Sequence, residues 1–173
     1  MFLGKCVLSA RLPPERSVQV RRMALDIAVD QFHVRLLHPA AQPPARTRPG
    51  DAAYDLRCVQ GFSLWPRERA MVPTGVAIAL PPFVGGLVLP RSGLAAEHGI
   101  SLVNSPALID PNYRGELRIL LINHGDARFE ARAGDRIAQL LLVPFLSPDV
   151  SLVDELPPSP DDRGENGFGS SGR

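Results

Sequence analysis

Two separated segments carry charged side chains that could act on a phosphorylated ligand. Residues 110–115, Asp-Pro-Asn-Tyr-Arg-Gly, predict a β-hairpin loop between two apolar strands, in which Asp110 could simply shape the turn. A carboxylate fixed beside a phosphate could also orient and deprotonate a water molecule for in-line attack on a phosphoanhydride. At residues 90–93, Pro-Arg-Ser-Gly, a strand ends and a short helix is predicted with Ser92 as its N-cap. The same turn could bind an anion, with Arg91 strengthening the site.

Three other segments contain residues that need a chemical explanation. Asp55 lies in an otherwise apolar strand and needs a partner, for which a hydrated cation is one choice. Arg136 and the adjacent Asp135 are most simply a local ion pair or a subunit contact, and Gln139 could donate a hydrogen bond to an oxygen. Residues 157–173 include ten Gly, Ser or Pro among 17 residues. That composition is typical of a disordered tail, or of a glycine-rich strip that closes over a ligand.

Short apolar runs separated by glycine and proline must position these segments. Helical spacing of apolar residues is almost absent, and the chain contains 18 prolines and 15 glycines. The pattern predicts an all-β barrel or sandwich with one short helix beginning near Ser92. The predicted strands are residues 32–37, 54–59, 71–73, 75–80, 87–89, 117–123 and 137–143.

Composition and charge exclude several classes of protein. A chain of 173 residues with 45% hydrophobic and 21% charged residues predicts one compact domain. The longest apolar run, residues 140–146, is far shorter than the roughly 20 residues of a membrane-spanning helix. A formal net charge of +1 provides no basic field for a nucleic-acid backbone, so we expect neither a nucleic-acid nor a membrane partner. Cys6 and Cys58 support neither a disulfide framework nor a zinc site, and they indicate a reducing, cytoplasmic location.

Charge and composition also divide the chain into three parts. Residues 1–25 carry a net charge of +4 against −3 for the remainder. We expect them to form a flexible basic extension. Met23 could itself begin a complete domain. An upstream start site explains this extension better than an organelle transit peptide does. The β-barrel is expected to span residues 26–156, followed by a flexible arm over residues 157–173.

Five segments, taken in order, resemble the five motifs of the homotrimeric dUTPases, the deoxyuridine 5′-triphosphate nucleotidohydrolases. Each motif is weak by itself, but five in one order are specific, and the resemblance extends from about residue 28 to the end of the chain. It implies an all-β fold, a jelly-roll-like β-barrel of the β-clip type. It also implies a threefold homotrimer with an exchanged C-terminal arm and sites assembled from all three chains. The segments are residues 50–56, 90–95, 104–117, 134–140 and 163–172.

The resemblance implies hydrolysis of dUTP to dUMP and pyrophosphate with Mg²⁺, which limits uracil incorporation into DNA and supplies dUMP for thymidylate synthesis. Asp110 then activates the water that attacks the α-phosphorus, and Tyr113 packs beneath the deoxyribose and excludes a 2′-hydroxyl. Asp55 orients water around a Mg²⁺ held mainly by the triphosphate. The remaining implied binding residues are Asn104, Leu108 and Ile109 for uracil, Arg118 through its main chain, Arg91, Ser92, Gly93 and Gln139 for phosphates, and Arg163, Phe168, Gly169, Ser170 and Ser171 in the closing arm.

Two other functions remain open at this stage. A dCTP deaminase of the same superfamily shares the barrel and the Pro-Arg-Ser turn, but it needs an acid poised over C4 of cytosine, and residues 110–113 keep the dUTPase arrangement. A non-catalytic dUTP-binding regulatory module would retain the pocket without turnover. Ala53 and Ala107 stand where the family commonly has glycine, and either methyl group could crowd a close backbone approach.

Overall fold

The structure, a computed structural model, describes residues 31–160. In chain order the elements are β1 (His33–Leu36), β2 (Ala53–Arg57), β3 (Phe62–Leu64), β4 (Arg69–Ala79), β5 (Val84–Leu89), α1 (Ser92–His98), β6 (Ile100–Leu102), β7 (Ala107–Ile109), β8 (Glu116–Asn123), β9 (Phe129–Ala131) and β10 (Arg136–Pro144). Two four-stranded sheets have the orders β1-β4-β8-β6 and β2-β10-β5-β7, and β3 pairs with β9. Every pairing is antiparallel. The predicted all-β fold is confirmed.

Alternation along the central strands places one side of each sheet in the core. On β8, Leu117, Ile119 and Leu121 are buried, whereas Arg118 between them is exposed. On β10, Ala138 and Leu140 are fully buried and Gln139 between them is half-buried. The apolar residues therefore hold the two sheets together, and the alternate positions are left for polar side chains.

Two buried polar side chains stabilise irregular points of the first sheet. Thr74 Oγ1 donates to the carbonyl of Leu117 at 2.6 Å and accepts from the N–H of Val76 at 3.2 Å. It lies where the β4–β8 register shifts between Pro73 and Ala77, and this irregularity lets a central strand contain a proline. Asn123 Nδ2 donates to the carbonyls of Leu64 and Ala127. It therefore connects the end of β8 to β3 and to the loop between β8 and β9.

Three local predictions were wrong. The two strands predicted at residues 71–73 and 75–80 are one strand, β4, which ends at Ala79. Residues 110–115 do not form a β-hairpin loop, because β7 pairs with β5 and β8 pairs with β4 and β6. The loop instead passes from one sheet to the other. Ser92 is not the N-cap of α1, since Arg91 holds that position with extended backbone angles and Ser92 is the first helical residue.

Cys58 follows β2 and is 1% exposed. Its Sγ donates to the carbonyl of Arg132 at 3.1 Å, and its backbone is hydrogen-bonded to Gly134 and Asp135. Burial raises the pKa of the Cys58 thiol above its ordinary value. Cys58 therefore connects the end of β2 to the turn that precedes β10.

The last strand ends at Pro144, and residues 145–160 contain no helix or strand. Several apolar side chains in this stretch are exposed in the single chain, among them Leu146, Val150 and Leu152. No helix within residues 31–160 is long and apolar enough to cross a membrane. The predicted N-terminal extension, residues 1–25, lies outside the described residues, as does most of the predicted arm.

Candidate active site

A pocket of about 280 Å³ opens between β7, β8 and the loop that joins them. Six residues singled out from the sequence line it, namely Asn104, Leu108, Ile109, Asp110, Tyr113 and Arg118. Asp110 is exposed at this pocket. Because β7 is an edge strand that pairs with β5 on one side, its other side has no strand partner among residues 31–160. Its backbone donors and acceptors can therefore recognise the edge of a planar base.

The loop after β7 holds the tyrosine ring in a defined place. The N–H of Tyr113 donates to the carbonyl of Asp110 at 3.1 Å, and the Tyr113 hydroxyl donates to the carbonyl of Glu116 at 3.0 Å. A Cβ added at Gly115 would overlap the Tyr113 hydroxyl and ring, so the ring fits here because residue 115 has no side chain. Asp110 and Tyr113 are thus fixed relative to each other.

A second cluster surrounds Asp55 on β2. Asp55 Oδ1 accepts from Nε of Arg91 at 3.1 Å, and Oδ2 accepts from Nη1 of Arg136 at 3.1 Å. The Thr47 hydroxyl donates to Oδ2 of Asp55 at 2.8 Å. Burial raises the pKa of Asp55, but hydrogen bonds from Thr47 and Arg136 and the charges of both arginines outweigh burial and hold the pKa below its ordinary value. Asp55 is therefore ionised at neutral pH.

Gln139 lies on β10, three residues after Arg136 of this cluster. On β10 it pairs with Asp55 of β2 on one side and with Leu89 of β5 on the other. Its Nε2 donates to the carbonyl of Pro90 at 2.8 Å, which fixes the turn leading into α1. Ser92 and Gly93 are exposed at the start of that helix, and a Cβ at Gly93 would meet no atom within 4 Å. The surface in front of this turn is open to a ligand.

The structure does not bring these two groups together within one chain. The register pairs Ile109 with Gly86, so Asp110 comes opposite Gly85, at one end of β5. Arg91 lies beyond the other end, six residues further along, which is about 20 Å at roughly 3.3 Å per residue. Asp110 and Arg91 of one chain therefore flank opposite ends of β5. Arg163, Phe168, Gly169, Ser170 and Ser171 lie outside the described residues.

Comparison with known proteins decides the family. The dUTPase family model matches residues 40–172. The deoxyuridine 5′-triphosphate nucleotidohydrolase of Syntrophotalea carbinolica is 48% identical over 80% of this chain and 95% of its own length. The protein of the same name from Picosynechococcus is 42% identical over 82% of this chain and 99% of its own length. The chain belongs to the dUTPase family.

Solved dUTPase structures share its fold. The dUTPase of Staphylococcus bacteriophage 80alpha, in a structure with dUPNHPP, superposes with a TM-score of 0.77 at 30% identity, covering 84% of this chain and all of that chain. A mutant dUTPase from phage phi11 of S. aureus, described with a coordinated structural Mg(II) ion, has a TM-score of 0.68 at 27% identity, covering 73% of this chain and 99% of its own. The predicted family is confirmed.

Whether a Mg²⁺ ion fits beside Asp55 of this dUTPase chain depends on how many hydrogen bonds its carboxylate can still accept. Among residues 31–160 no group of three His, Cys, Asp or Glu side chains could hold a metal. The Asp55 carboxylate already accepts three hydrogen bonds, from Thr47, Arg91 and Arg136, of the about four that its two oxygens allow. It therefore has room for one water molecule on a metal, and a direct bond to the metal does not fit. Within residues 31–160 the direct partners of Asp55 are the Thr47 hydroxyl and the guanidinium groups of Arg91 and Arg136.

Sequence reasoning missed two members of the second cluster of this dUTPase chain. Arg136 was expected to form a local ion pair with Asp135 or a subunit contact, but Asp135 Oδ2 accepts the N–H of Arg132 and Arg136 binds Asp55. Thr47 precedes β2 by several residues and gave no signal of its own. The unexplained acid in β2 was the available signal, since a half-buried carboxylate in an apolar strand needs a charged or polar partner, and the motif arginines were candidates.

Ala53 and Ala107 both lie in regular positions of the second sheet. Ala53 pairs with Leu141, and Ala107 pairs with Val88, so each is paired without a register break at that point. Ala107 also lines the pocket. The methyl groups that replace the glycines usual in dUTPases therefore fit the strand pairing of this chain.

Proposed function

We propose that this chain hydrolyses dUTP to dUMP and pyrophosphate. The observation that carries the proposal is the pocket in which Asp110 and Tyr113 meet the open edge of β7. Its relatives at 42–48% identity are named as deoxyuridine 5′-triphosphate nucleotidohydrolases, and a phage relative was solved with a dUTP analogue. The edge of β7, with Asn104, Leu108 and Ile109, would recognise uracil, and Tyr113 would pack beneath the deoxyribose, where a 2′-hydroxyl has no room.

Asp110 acts in this proposal as the general base. It accepts a proton from a water molecule whose oxygen attacks the α-phosphorus, forming a new P–O bond. The bond between the α-phosphorus and the oxygen bridging to the β-phosphate breaks, and pyrophosphate leaves with that oxygen. Asp110 is exposed in the isolated chain, so water reaches it freely before substrate binds.

The cluster around Asp55 supplies the phosphate site. Arg91, Ser92, Gly93 and Gln139 would bind the phosphate oxygens, and Arg118 lies at the rim of the base pocket. Mg²⁺, held mainly by the triphosphate with Asp55 accepting through one water, would neutralise charge on the leaving pyrophosphate. Residues Arg163, Phe168, Gly169, Ser170 and Ser171 of the arm would close over the ligand.

A homotrimer with an exchanged arm completes the site. Asp110 and Arg91 of one chain are about 20 Å apart along β5, so a second chain must supply one of them to a shared triphosphate. The exposed apolar side chains of residues 146–156 also need a covering surface, and a neighbouring subunit provides one. We expect this assembly to act in the cytoplasm, without a nucleic-acid or membrane partner.

Pyrophosphate release tests the function directly. dUTP, dCTP, dTTP and UTP are compared in parallel with Mg²⁺, and the nucleotide products are identified. We expect release from dUTP alone, with dUMP formed, and a loss of about 10²–10⁴-fold in Asp110→Asn with retained binding of dUPNHPP. Asp126→Asn, in an exposed turn after β8, is the matched control. Formation of dUTP or dUMP from dCTP would instead identify a deaminase, and binding without release would identify a regulatory module.

A further inference from the structure

The pairing of β4 with β8 contains a bulge beside the pocket. The regular pairs on its two sides are Pro73–Arg118 and Ala77–Glu116. Three residues of β4, residues 74–76, therefore lie opposite one residue of β8. A bulge of this kind leaves backbone groups without partners in the ladder, and each of them needs another donor or acceptor. The bulge lies at the start of β8, directly after the loop that joins β7 to β8.

Gly75, at the centre of this bulge, is packed against the chain around it. Its φ is +65°, and a Cβ there would lie 2.8 Å from side-chain atoms of Ala41 and Val59. Its carbonyl accepts from the N–H of Leu37 at 2.7 Å. Its N–H donates to Oε1 of Glu116 at 2.7 Å, so the carboxylate satisfies a donor that the bulge removes from the ladder. Because Gly75 has little room to move, the Glu116 side chain takes its position from β4.

Glu116 also contacts the tyrosine of the pocket, through its backbone. Its carbonyl accepts from the Tyr113 hydroxyl at 3.0 Å, and its side chain is half-buried in the pocket wall. One residue thus makes two contacts, since the carboxylate binds Gly75 of β4 and the carbonyl binds Tyr113 of the loop. A movement of Glu116 away from Gly75 would displace the acceptor that fixes the tyrosine ring.

The start of β8 has few other backbone restraints. β6 pairs with β8 only at residues 121–123, so at its start β8 has β4 as its only strand partner among residues 31–160. Glu116 is the first residue of the strand. Strand ends open more readily than strand centres. The hydrogen bond between Glu116 and Gly75 therefore restrains β8 at the end that is nearest to Tyr113.

We propose that Glu116 is a positioning residue for Tyr113, and that its hydrogen bond to Gly75 sets how strongly the site discriminates against a 2′-hydroxyl. This inference rests on the proposed function, in which the Tyr113 ring packs beneath the deoxyribose. In this role Glu116 acts through its carbonyl on the ring, without contact to the sugar or to the reacting phosphate. Its loss should therefore change the relative binding of deoxyribonucleotides and ribonucleotides rather than weaken both equally.

Three substitutions of Glu116 separate the reach of the side chain from its charge. Glu116→Gln keeps an oxygen that can accept from Gly75, Glu116→Asp keeps the charge but is one methylene shorter, and Glu116→Met keeps the length but has no oxygen. dUPNHPP and its 2′-hydroxy counterpart are titrated calorimetrically into each full-length variant. We expect the ratio of the two affinities to stay near the wild-type value in Glu116→Gln. It should fall about fivefold in Glu116→Asp and Glu116→Met, because one hydrogen bond is lost.

A double-mutant cycle tests whether Glu116 acts through Tyr113. Tyr113→Phe removes the hydroxyl that donates to the Glu116 carbonyl, so it should lower the affinity ratio by itself. Adding Glu116→Asp to Tyr113→Phe should lower the ratio little further, because both changes release the same ring. Additive losses would show that Glu116 works independently of the ring and would overturn the inference.

The control removes the same kind of hydrogen bond away from the pocket. Glu68 Oε2 accepts from the N–H of Trp65 at 2.7 Å in the exposed turn between β3 and β4. Glu68→Met therefore loses a bond between a carboxylate and a backbone N–H, and it should keep the wild-type affinity ratio. Urea unfolding at fixed protein concentration measures how much stability each variant loses.

The affinity ratios decide between a positioning role and a merely structural one. An unaltered ratio in Glu116→Asp and Glu116→Met would overturn the inference, even if both variants were less stable. If Glu116→Met does not fold, the comparison of Glu116→Gln with Glu116→Asp decides. A wild type that binds both analogues but does not release pyrophosphate from dUTP would overturn the proposed function, while the affinity ratios would still test Glu116.

Discussion

Tyr113 keeps its place because residue 115 has no side chain. The hydroxyl of Tyr113 donates to the carbonyl of Glu116, and a Cβ at position 115 would overlap that hydroxyl and the ring. The specificity expected of Tyr113, exclusion of a 2′-hydroxyl, is therefore set by its neighbour as much as by the ring itself. Tyr113 could be named as a site residue from the sequence. The role of Gly115 in positioning it could not, because no sequence pattern shows which side chain packs over a glycine.

Gly115→Ala should weaken sugar discrimination. The added methyl group must displace the Tyr113 ring from the place where it would block a 2′-hydroxyl, and we expect the ratio of kcat/KM for dUTP over UTP to fall about tenfold. Steady-state pyrophosphate release with both nucleotides measures this ratio. Gly85→Ala is the control, because its Cβ would make ordinary contacts at 3.7 Å or more. An unaltered ratio in Gly115→Ala would show that the ring position does not set discrimination.

Asp55 should also shape the acid stability of the protein. Its pKa is lowered in the folded state, so its contribution to stability is fully present above the unfolded value of about 4 and is lost as pH falls through the lower folded pKa. The difference in unfolding free energy between wild type and Asp55→Asn should be constant from about pH 5 to 8 and shrink below about pH 4. Urea unfolding at fixed protein concentration measures it, and a difference that grew on acidification would contradict the assignment.

At the scale of elements, strand length decided what the sequence could predict. Long runs such as those that form β8 and β10 have enough alternating positions to be recognised, and both were located closely. The strands β3, β6 and β9 have three residues each and were missed, whereas the three-residue β7 was expected only as the unnamed strand before residues 110–115. The β7–β8 loop was placed in a hairpin because neighbouring strands usually pair, whereas here β7 extends the other sheet. Partner choice is a long-range property that no local pattern contains.

The irregular pairing of β4 with β8 depends on one hydroxyl. Thr74→Val removes the group that satisfies the carbonyl of Leu117 and the N–H of Val76, both inside the sheet. We expect a loss of about 1–3 kcal/mol in unfolding free energy, measured by urea denaturation at fixed protein concentration. Thr74→Ser keeps the hydroxyl and should lose less. Equal losses in the two variants would assign the effect to packing rather than to the hydrogen bonds.

At the scale of the whole molecule, the separation of Asp110 from Arg91 determines how the sites must be built. The two residues flank opposite ends of β5, and no rearrangement within a pleated strand brings them together. Sequence motifs could name the members of each group, but their separation along β5 is visible only after the strand register is known. This separation is the reason for proposing that different chains contribute Asp110 and Arg91 to one site.

Mixing two inactive variants should restore activity. Arg91→Ala and Asp110→Asn are each expected to be nearly inactive, but in the proposed homotrimer co-expressed mixtures would contain some interfaces with an intact Arg91 from one chain and an intact Asp110 from the other. Random assembly at equal amounts should give about a quarter of the wild-type sites. Pyrophosphate release from the co-purified mixture measures this recovery. Activity no higher than that of the separate variants would place the whole site in one chain.

Because Cys58 is buried, the reactivity of its thiol can report local opening of the turn at residues 132–135. A thiol reagent needs both access and the thiolate, and Cys58 offers neither while its Sγ and backbone are bonded to residues 132–135. The same turn leads directly into Arg136. In a Cys6→Ser variant, Cys58 is the thiol that is labelled, and its labelling rate would therefore depend on how often this turn opens. A ligand that stabilises this turn should lower the labelling rate, so the rate would report ligand binding without any turnover.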